Sequence, residues 1–250
     1  MDILRSFKNL IENSKNERLL PKVTAIVVAA GRSERMGSGA SKQFIPLCGI
    51  PLFARTLSAF EASSHISEVV IVARAEDIVS VADIVKEFGF DKVIRVVRGG
   101  QTRQQSAAMG FEAAGKTDYI AIHDGARPLV TPGCIDRVVD AAFEFKAAAA
   151  AVKLRDTVKQ ADEDGNVVAT PDRSFLWAVQ TPQVFEAELY RSALEMAKSA
   201  GEDYTDDCQL IETAGGIVRL VESEYTNIKI TTPDDVIIAE AILRARGEAY

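Results

Sequence analysis

The chain has 250 residues, 47% hydrophobic and 26% charged, with Lys+Arg 29 against Asp+Glu 36 and a net charge of −7. This composition excludes a disordered or collagen-like chain. Without a basic excess, no nucleic-acid partner is expected, although an anionic small molecule needs only local cations.

Residues 1–22 come first. Ile3, Leu4, Phe7, Leu10 and Ile11 recur at helical spacing, which predicts a short amphipathic extension ahead of the main domain. Its polar face is not rich in Lys and Arg, and no apolar run nears the ~20 residues of a membrane helix, so no membrane partner is expected. The start lacks the basic and apolar regions of a secretory leader. From Val23 onward, β-branched runs alternate with helical segments. Val23–Ala29, Val69–Ala73, Val93–Val97, Tyr119–Ile122 and Ala148–Leu154 read as strands buried on both faces. Between them, Ile78/Val81/Ala82/Val85/Phe88, stopped by Gly89, and Ile135/Val138/Val139/Ala142 read as helices. The alternation predicts an α/β fold: a mostly parallel twisted sheet with helices on both faces. Residues 158–170 break it with a hairpin signal around Asp164-Gly165, inside an arm spanning about 155–175 that could reach toward a partner subunit. Tyr225–Asp235 reads as an edge strand carrying Lys229, followed by a helix with Thr232 as N-cap and Pro233 at N1.

Ligands on such sheets bind at the carboxyl ends of the strands. After the first strand comes a small-residue turn, Ala29-Ala30-Gly31, with Arg35 and then Lys42. It is neither a Walker A loop nor G-x-G-x-x-G, which sets aside a dinucleotide oxidoreductase. Its backbone N–H groups and cations suit a triphosphate. After the third strand, Gly99-Gly100 leads through Thr102 and Arg103 into a helix at Ser106, a place for an anion or a polar base edge. After the fourth strand, Asp124 is placed for Mg²⁺ or a ribose hydroxyl, and its neighbour His123 reads as a buried, hydrogen-bonded residue. The cations Arg35, Lys42, Arg103 and Lys229 with one carboxylate point to nucleotidyl transfer. That chemistry positions phosphates and needs no side-chain nucleophile. The scarcity of histidine (two) and of paired cysteines (three, scattered) agrees with it, and suggests a reducing, cytoplasmic compartment.

The segments Ala29-Ala-Gly31, Arg35-Met-Gly37, Lys42-Gln-Phe44, Gly99-Gly100 with Arg103 and Ser106, His123-Asp-x-Ala-Arg-Pro128, Arg155-Asp-Thr157, Gln180-Thr-Pro-Gln183, Thr205-Asp206 and Asn227-Ile-Lys-Ile-Thr231 occur in order. Together they resemble the 2-C-methyl-D-erythritol 4-phosphate cytidylyltransferase family of isoprenoid precursor biosynthesis. The resemblance implies a Rossmann-like nucleotidyltransferase domain over residues 23–246 that moves CMP from CTP to methylerythritol phosphate with Mg²⁺ and releases pyrophosphate. It implies catalytic roles for Arg35, Lys42 and Lys229, and nucleotide contacts from Ala29, Ala30, Gly31, Gly100, Arg103, Ser106, Asp124 and Gly125. It further implies a methylerythritol phosphate pocket lined by Arg127, Thr205, Lys229 and Thr231. Thr157 and Arg173 would enter that pocket from the arm of the partner in a homodimer. Gln101 stands where the family often has an acidic residue, and Gly125 where alanine is commoner. A ribitol-5-phosphate cytidylyltransferase would share the fold and most cations, but usually carries Ala-Gly-Gly at the first loop. A non-catalytic nucleotide-binding regulator is the reading from another class; it would have no need for both Lys42 and Lys229 on one triphosphate.

Overall fold

A computed structural model describes residues 20–31 and 41–249. The proposed helix at the N-terminus and Arg35 lie outside the described residues. In chain order the elements are β1 (Val23–Ala29), β2 (Pro46–Leu47), β3 (Ile50–Pro51), α1 (Leu52–Ala62), β4 (Glu68–Ala73), α2 (Ile78–Phe88), β5 (Val93–Arg98), α3 (Arg103–Ala114) and β6 (Tyr119–Asp124). They continue with α4 (Pro132–Phe145), β7 (Ala147–Lys153), β8 (Gln160–Ala161), β9 (Val167–Ala169), β10 (Trp177–Glu186), α5 (Ala187–Ala200), α6 (Asp207–Thr213), β11 (Arg219–Glu222) and α7 (Pro233–Ala245).

A seven-stranded sheet in the order β11-β7-β10-β6-β1-β4-β5 forms the centre. Pairing is parallel between β1 and β4, β1 and β6, β4 and β5, and β7 and β11, whereas β10 runs antiparallel to both neighbours. Strand residues alternate between two layers, as the period of two requires. Ala25, Val27, Val69 and Ile71 meet α1, α2 and α4 through Phe53, Leu57, Val81, Ile135 and Val139. Ile26, Val72, Ile120 and Phe185 meet α3, α5 and α6 through Ala107, Phe111, Tyr190 and Ile211. The alanine run Ala147–Ala151 is fully buried, divided between the same two layers. A third cluster, Leu47, Leu52, Leu129, Ile230, Ala239 and Leu243, seats α7 beside the end of the sheet.

The expected strands appear with their ends moved by at most two residues, but β5 lies at the sheet edge and is only partly buried, not covered on both faces as its apolar run suggested. The largest extension carries β6 through His123 and Asp124, so both are strand residues. Gly89 closes α2 in the left-handed region at φ 66°, as its position predicted. The hairpin is present as β8 and β9, with the Asp162 carboxylate accepting from the N–H groups of Asp164 and Asn166 and with Gly165 at φ 85°.

The expected edge strand at Tyr225–Asp235 is not a strand. Its backbone makes no ladder; it is held by isolated bonds such as Ile230 N–H to the Ala126 carbonyl at 2.8 Å. Buried Asn227 anchors it, donating to Gln180 Oε1 at 3.0 Å and to the Thr181 carbonyl at 2.9 Å. Side chains replace the ladder, which leaves Lys229 aimed at the sheet's carboxyl edge. The helix that follows begins as expected. Asp235 takes the Thr232 N–H at 2.8 Å in a capping box, with Pro233 in the first turn.

Candidate active site

The carboxyl ends of β1, β4, β5 and β6 open into one cleft of about 1400 Å³. Among the described residues its lining carries five Lys or Arg (Lys42, Arg74, Arg98, Arg103, Lys229) against two carboxylates, Glu76 and Asp124. The acidic chain therefore places a cationic surface where its sheet presents ligands. Arg74 is the partner of Glu76 and Asp77, at 3.2 Å and 2.7 Å.

Small residues let the walls come together. A Cβ on Gly99 would stand 2.4 Å from the Ala30 Cβ and 2.9 Å from Ser106 Oγ, so only glycine lets the β5 loop approach the β1 loop this closely. Gly110 likewise lets α3 lie on the sheet, since a Cβ there would meet Ile26 Cγ2. Ser106, 2% exposed, accepts the Gly100 N–H at 3.1 Å and donates to the Thr102 carbonyl at 2.9 Å. Its hydroxyl ties the loop to the start of α3. Thr102 caps α3 by accepting the Gln105 N–H at 3.2 Å.

Asp124 is the centre of the cleft floor. Lys229 Nζ lies 2.7 Å from its Oδ2 and Arg103 Nε donates to its Oδ1 at 3.3 Å. Arg127 Nε stands 3.9 Å away, while its Nη1 donates to the Asn227 carbonyl at 2.8 Å. Burial alone would raise the Asp124 pKa, but Arg103 and Lys229 outweigh it and hold the carboxyl well below the usual range. Burial likewise disfavours the charged Arg103, yet Asp207 and Asp124 reverse the effect and raise its pKa.

His123 faces away from the cleft. Its Nδ1 takes the Thr181 hydroxyl at 3.0 Å and its Nε2 meets the Arg127 carbonyl at 3.3 Å, a pairing that puts the ring proton on Nε2. Thr181 Oγ1 in turn accepts the Asp124 N–H at 3.1 Å. Burial pushes the His123 pKa down to about 3, so the ring is neutral and structural, as its sequence position suggested.

The structure brings Ala30, Gly31, Lys42, Gly100, Arg103, Ser106, Asp124 and Lys229 to this one cleft. Lys42 Nζ donates to the Ile230 carbonyl at 3.1 Å, joining the β1 side to the Lys229 segment. Ala29 ends β1 inside the core. Gly125 sits behind the floor, where a Cβ would press on Phe53 at 3.0 Å and on Val28 O at 3.2 Å. Thr231 gives its hydroxyl to Asp235 at 2.9 Å. Thr205 is exposed, two residues before Asp207. Thr157 and Arg173 stand on the exposed arm and do not border the chain's own cleft; Arg173 Nη1 donates to the Arg155 carbonyl at 2.7 Å. Sequence reasoning missed Arg74 and Arg98, which the strand-end rule could have found. It also missed Tyr190 and Asp207, for which the sequence carries no local signal, and gave no role to Thr181 within the Gln180–Gln183 segment.

A family model described as 2-C-methyl-D-erythritol 4-phosphate cytidylyltransferase matches residues 23–245. The enzyme of that name from Caldanaerobacter subterraneus subsp. tengcongensis is 43% identical over 224 residues, 89% of this chain and 99% of the relative. The one from Pelotomaculum thermopropionicum is 44% identical over 229 residues, 91% of this chain and 96% of the relative. Among solved structures, 4-diphosphocytidyl-2C-methyl-D-erythritol synthase from Anaerococcus prevotii superposes with a TM-score of 0.81 at 33% identity, covering 90% of this chain and 99% of that one. The cytidylyltransferase from Thermus thermophilus gives 0.72 at 32% identity, covering 89% and 99%.

Proposed function

The chain belongs to the 2-C-methyl-D-erythritol 4-phosphate cytidylyltransferase family and transfers CMP from CTP to methylerythritol phosphate, and we propose that the cationic cleft around Asp124 is where it does so. The observation that carries this site assignment is the joining of Lys229 and Arg103 on Asp124 at the carboxyl edge of the parallel strands. In the reaction a phosphate oxygen of methylerythritol phosphate attacks the α-phosphorus of CTP. The new P–O bond forms as the bond to the β-phosphate oxygen breaks, and pyrophosphate leaves. The transfer is direct, with no cytidylylated protein group between. The work of the chain is to orient two phosphates in line and to balance negative charge that grows on the α- and β-phosphoryl oxygens.

The residues divide that work by position. The backbone of Ala29, Ala30 and Gly31 follows the triphosphate, and Gly100 with Ser106 meets the cytosine edge. Lys42, tied through the Ile230 carbonyl to the segment that carries Lys229, is assigned with it to the phosphates. Arg35 is assigned to the same triphosphate from its sequence position. Asp124, with Gly125 behind it, orients Arg103 and Lys229 and faces the ribose region. Arg127, Thr205 and Thr231 are assigned to the alcohol phosphate from their sequence positions.

Mg²⁺ fits this donor set as an ion carried on the triphosphate. Both Asp124 oxygens already meet cations, and among the described residues no cluster of three His, Cys, Asp or Glu could cage a metal. Such an ion would neutralise phosphate charge, and Asp124 is the carboxylate of the cleft floor that would hold it.

A homodimer supplies the arm. Val167, Val168 and Phe175 leave 60%, 57% and 81% of their surfaces exposed along residues 155–175, more apolar area than a solitary hairpin would keep. Paired with a second copy, the arm covers that surface and carries Thr157 and Arg173 toward the partner's alcohol phosphate. A cytoplasmic enzyme is consistent with this substrate pair; among the described residues no helix is long and apolar enough to cross a membrane.

Pyrophosphate release from CTP, coupled to a phosphate readout, tests the assignment with methylerythritol phosphate and ribitol 5-phosphate in parallel. Release with methylerythritol phosphate is expected. Turnover with ribitol phosphate alone would overturn the substrate, and CTP binding without release from either would make the chain a nucleotide-binding regulator.

A further inference from the structure

Asp207, the first residue of α6, is 2% exposed and does not line the cleft. One of its oxygens accepts the Tyr190 hydroxyl at 2.8 Å, and the other meets Arg103 Nη1. The same guanidinium turns its Nε to Asp124 Oδ1 at 3.3 Å, and Asp124 gives its second oxygen to Lys229 at 2.7 Å. A line of side chains thus runs from α5 and α6 across the start of α3 to the lysine that faces the cleft.

We propose that Asp207 is a positioning residue: it fixes the Arg103 guanidinium, and through Arg103 and Asp124 it sets where Lys229 points. The proposal rests on the reading of the cleft as the cytidylyl-transfer site.

The physical case has two parts. A guanidinium is a planar fork, so one carboxylate leaves it free to swing, whereas two carboxylates on different N–H groups fix its plane. Two further bonds hold Asp207 in register with Arg103. Thr102 donates to Asp203 Oδ1 at 3.1 Å, and the Tyr204 N–H donates to Gln104 Oε1 at 2.8 Å, which locks the loop before α6 against the first turn of α3. The second part is charge. Arg103, Arg127 and Lys229 face Asp124 and Asp207, leaving one surplus positive charge, and Lys229, with 40% of its side chain exposed, presents it to the cleft. Without the Asp207 charge the surplus doubles, so a bound triphosphate gains attraction while the lysine loses its fixed aim. Tighter ground-state binding with slower chemistry is a pattern that structural damage does not produce.

The test is a double-mutant cycle on the full chain, read by pyrophosphate release. Asp207→Asn is expected to lower kcat about 30-fold while KM for CTP stays level or falls. In an Arg103→Met background the same change is expected to alter kcat by less than about threefold, because its route is gone. Equal drops in both backgrounds, an unchanged kcat, or a raised KM for CTP would overturn the proposal. If Asp207→Asn does not fold, Tyr190→Phe removes one bond to Asp207 and keeps the ring packed. It is expected to lower kcat about threefold in the native background only, and no fall would count against the proposal. An arm independent of turnover uses ¹⁵N NMR of the Arg103 Nε–H, assigned by its loss in Arg103→Met. The signal is expected to be protected in the native chain and lost to exchange in Asp207→Asn; persistence would overturn the clamp. A native chain that releases no pyrophosphate from CTP and methylerythritol phosphate overturns the functional reading instead, and the NMR arm still decides the clamp.

Discussion

Lys229 Nζ and Asp124 Oδ2 lie 2.7 Å apart, although 105 residues and several elements separate them along the chain. The lysine is on an irregular segment and the aspartate ends a central strand. Their pairing fixes a mobile cation on a rigid element, which is the preorganisation that phosphoryl chemistry requires.

From this follows the first prediction. Lys229→Ala and Lys42→Ala are each expected to lower kcat by about 10²–10³, as loss of a preorganised charge does elsewhere. Steady-state pyrophosphate release measures it. A drop below tenfold in both variants would remove them from the transition state.

The buried imidazole gives a pH prediction. Burial lowers the His123 pKa to about 3 from its ordinary 6.5, so the folded state resists a proton that the unfolded chain accepts. Its contribution to stability is full above pH ~6.5 and is lost as pH falls toward 3, at up to ~1.4 kcal/mol per unit. Urea unfolding at pH 7 and pH 5 is expected to differ by about 2 kcal/mol, with the difference much reduced in His123→Asn. An equally steep native and variant profile would place the effect elsewhere. The Asp124 carboxyl, held low, adds its own loss only below its ordinary value of 3.8.

Glycine 99 is a steric position. A Cβ there would stand 2.4 Å from the Ala30 Cβ and 2.9 Å from Ser106 Oγ, so it would press on the β1 end and on α3 at once. Gly99→Ala is expected to cost about 1–3 kcal/mol of stability and to weaken CTP binding. Thermal melting with calorimetric titration of CTP would show it; native-like values for both would mean that the loops move apart at no cost.

For the arm, Arg173→Ala is expected to raise KM for methylerythritol phosphate at least several-fold with kcat nearly unchanged, because its proposed role is ground-state phosphate binding. Mixing that variant with a Lys229→Ala variant tests the subunit crossing. Mixed dimers in which one site keeps its own lysine and receives the other chain's intact arm should regain activity, and sizing that shows a monomer would remove the arm from catalysis.

Much of the parallel part of the fold was legible because buried strands such as Val69–Ala73 are apolar on both faces and need no partner to announce themselves. By contrast β10 was not read: Pro182 lies within it, and a proline inside a run argues against a central strand. The sheet accommodates it at an irregularity between Val179 and Gln183. The edge strand at Tyr225–Asp235 was expected from its β-branched residues, yet Asn227 and Arg127 hold that backbone by side-chain bonds.

Local pattern sets the α/β class and brings cations to the strand ends, through apolar period, glycine turns and the chemistry of single residues. Which charges neutralise one another is set by the folded arrangement alone. Arg103 is 21 residues from Asp124 and 104 from Asp207, and nothing local ties the three together. Pairing of charges is set by where strands and helices come to rest. It is there that a chain of net charge −7 concentrates five cations around one carboxylate-bearing floor.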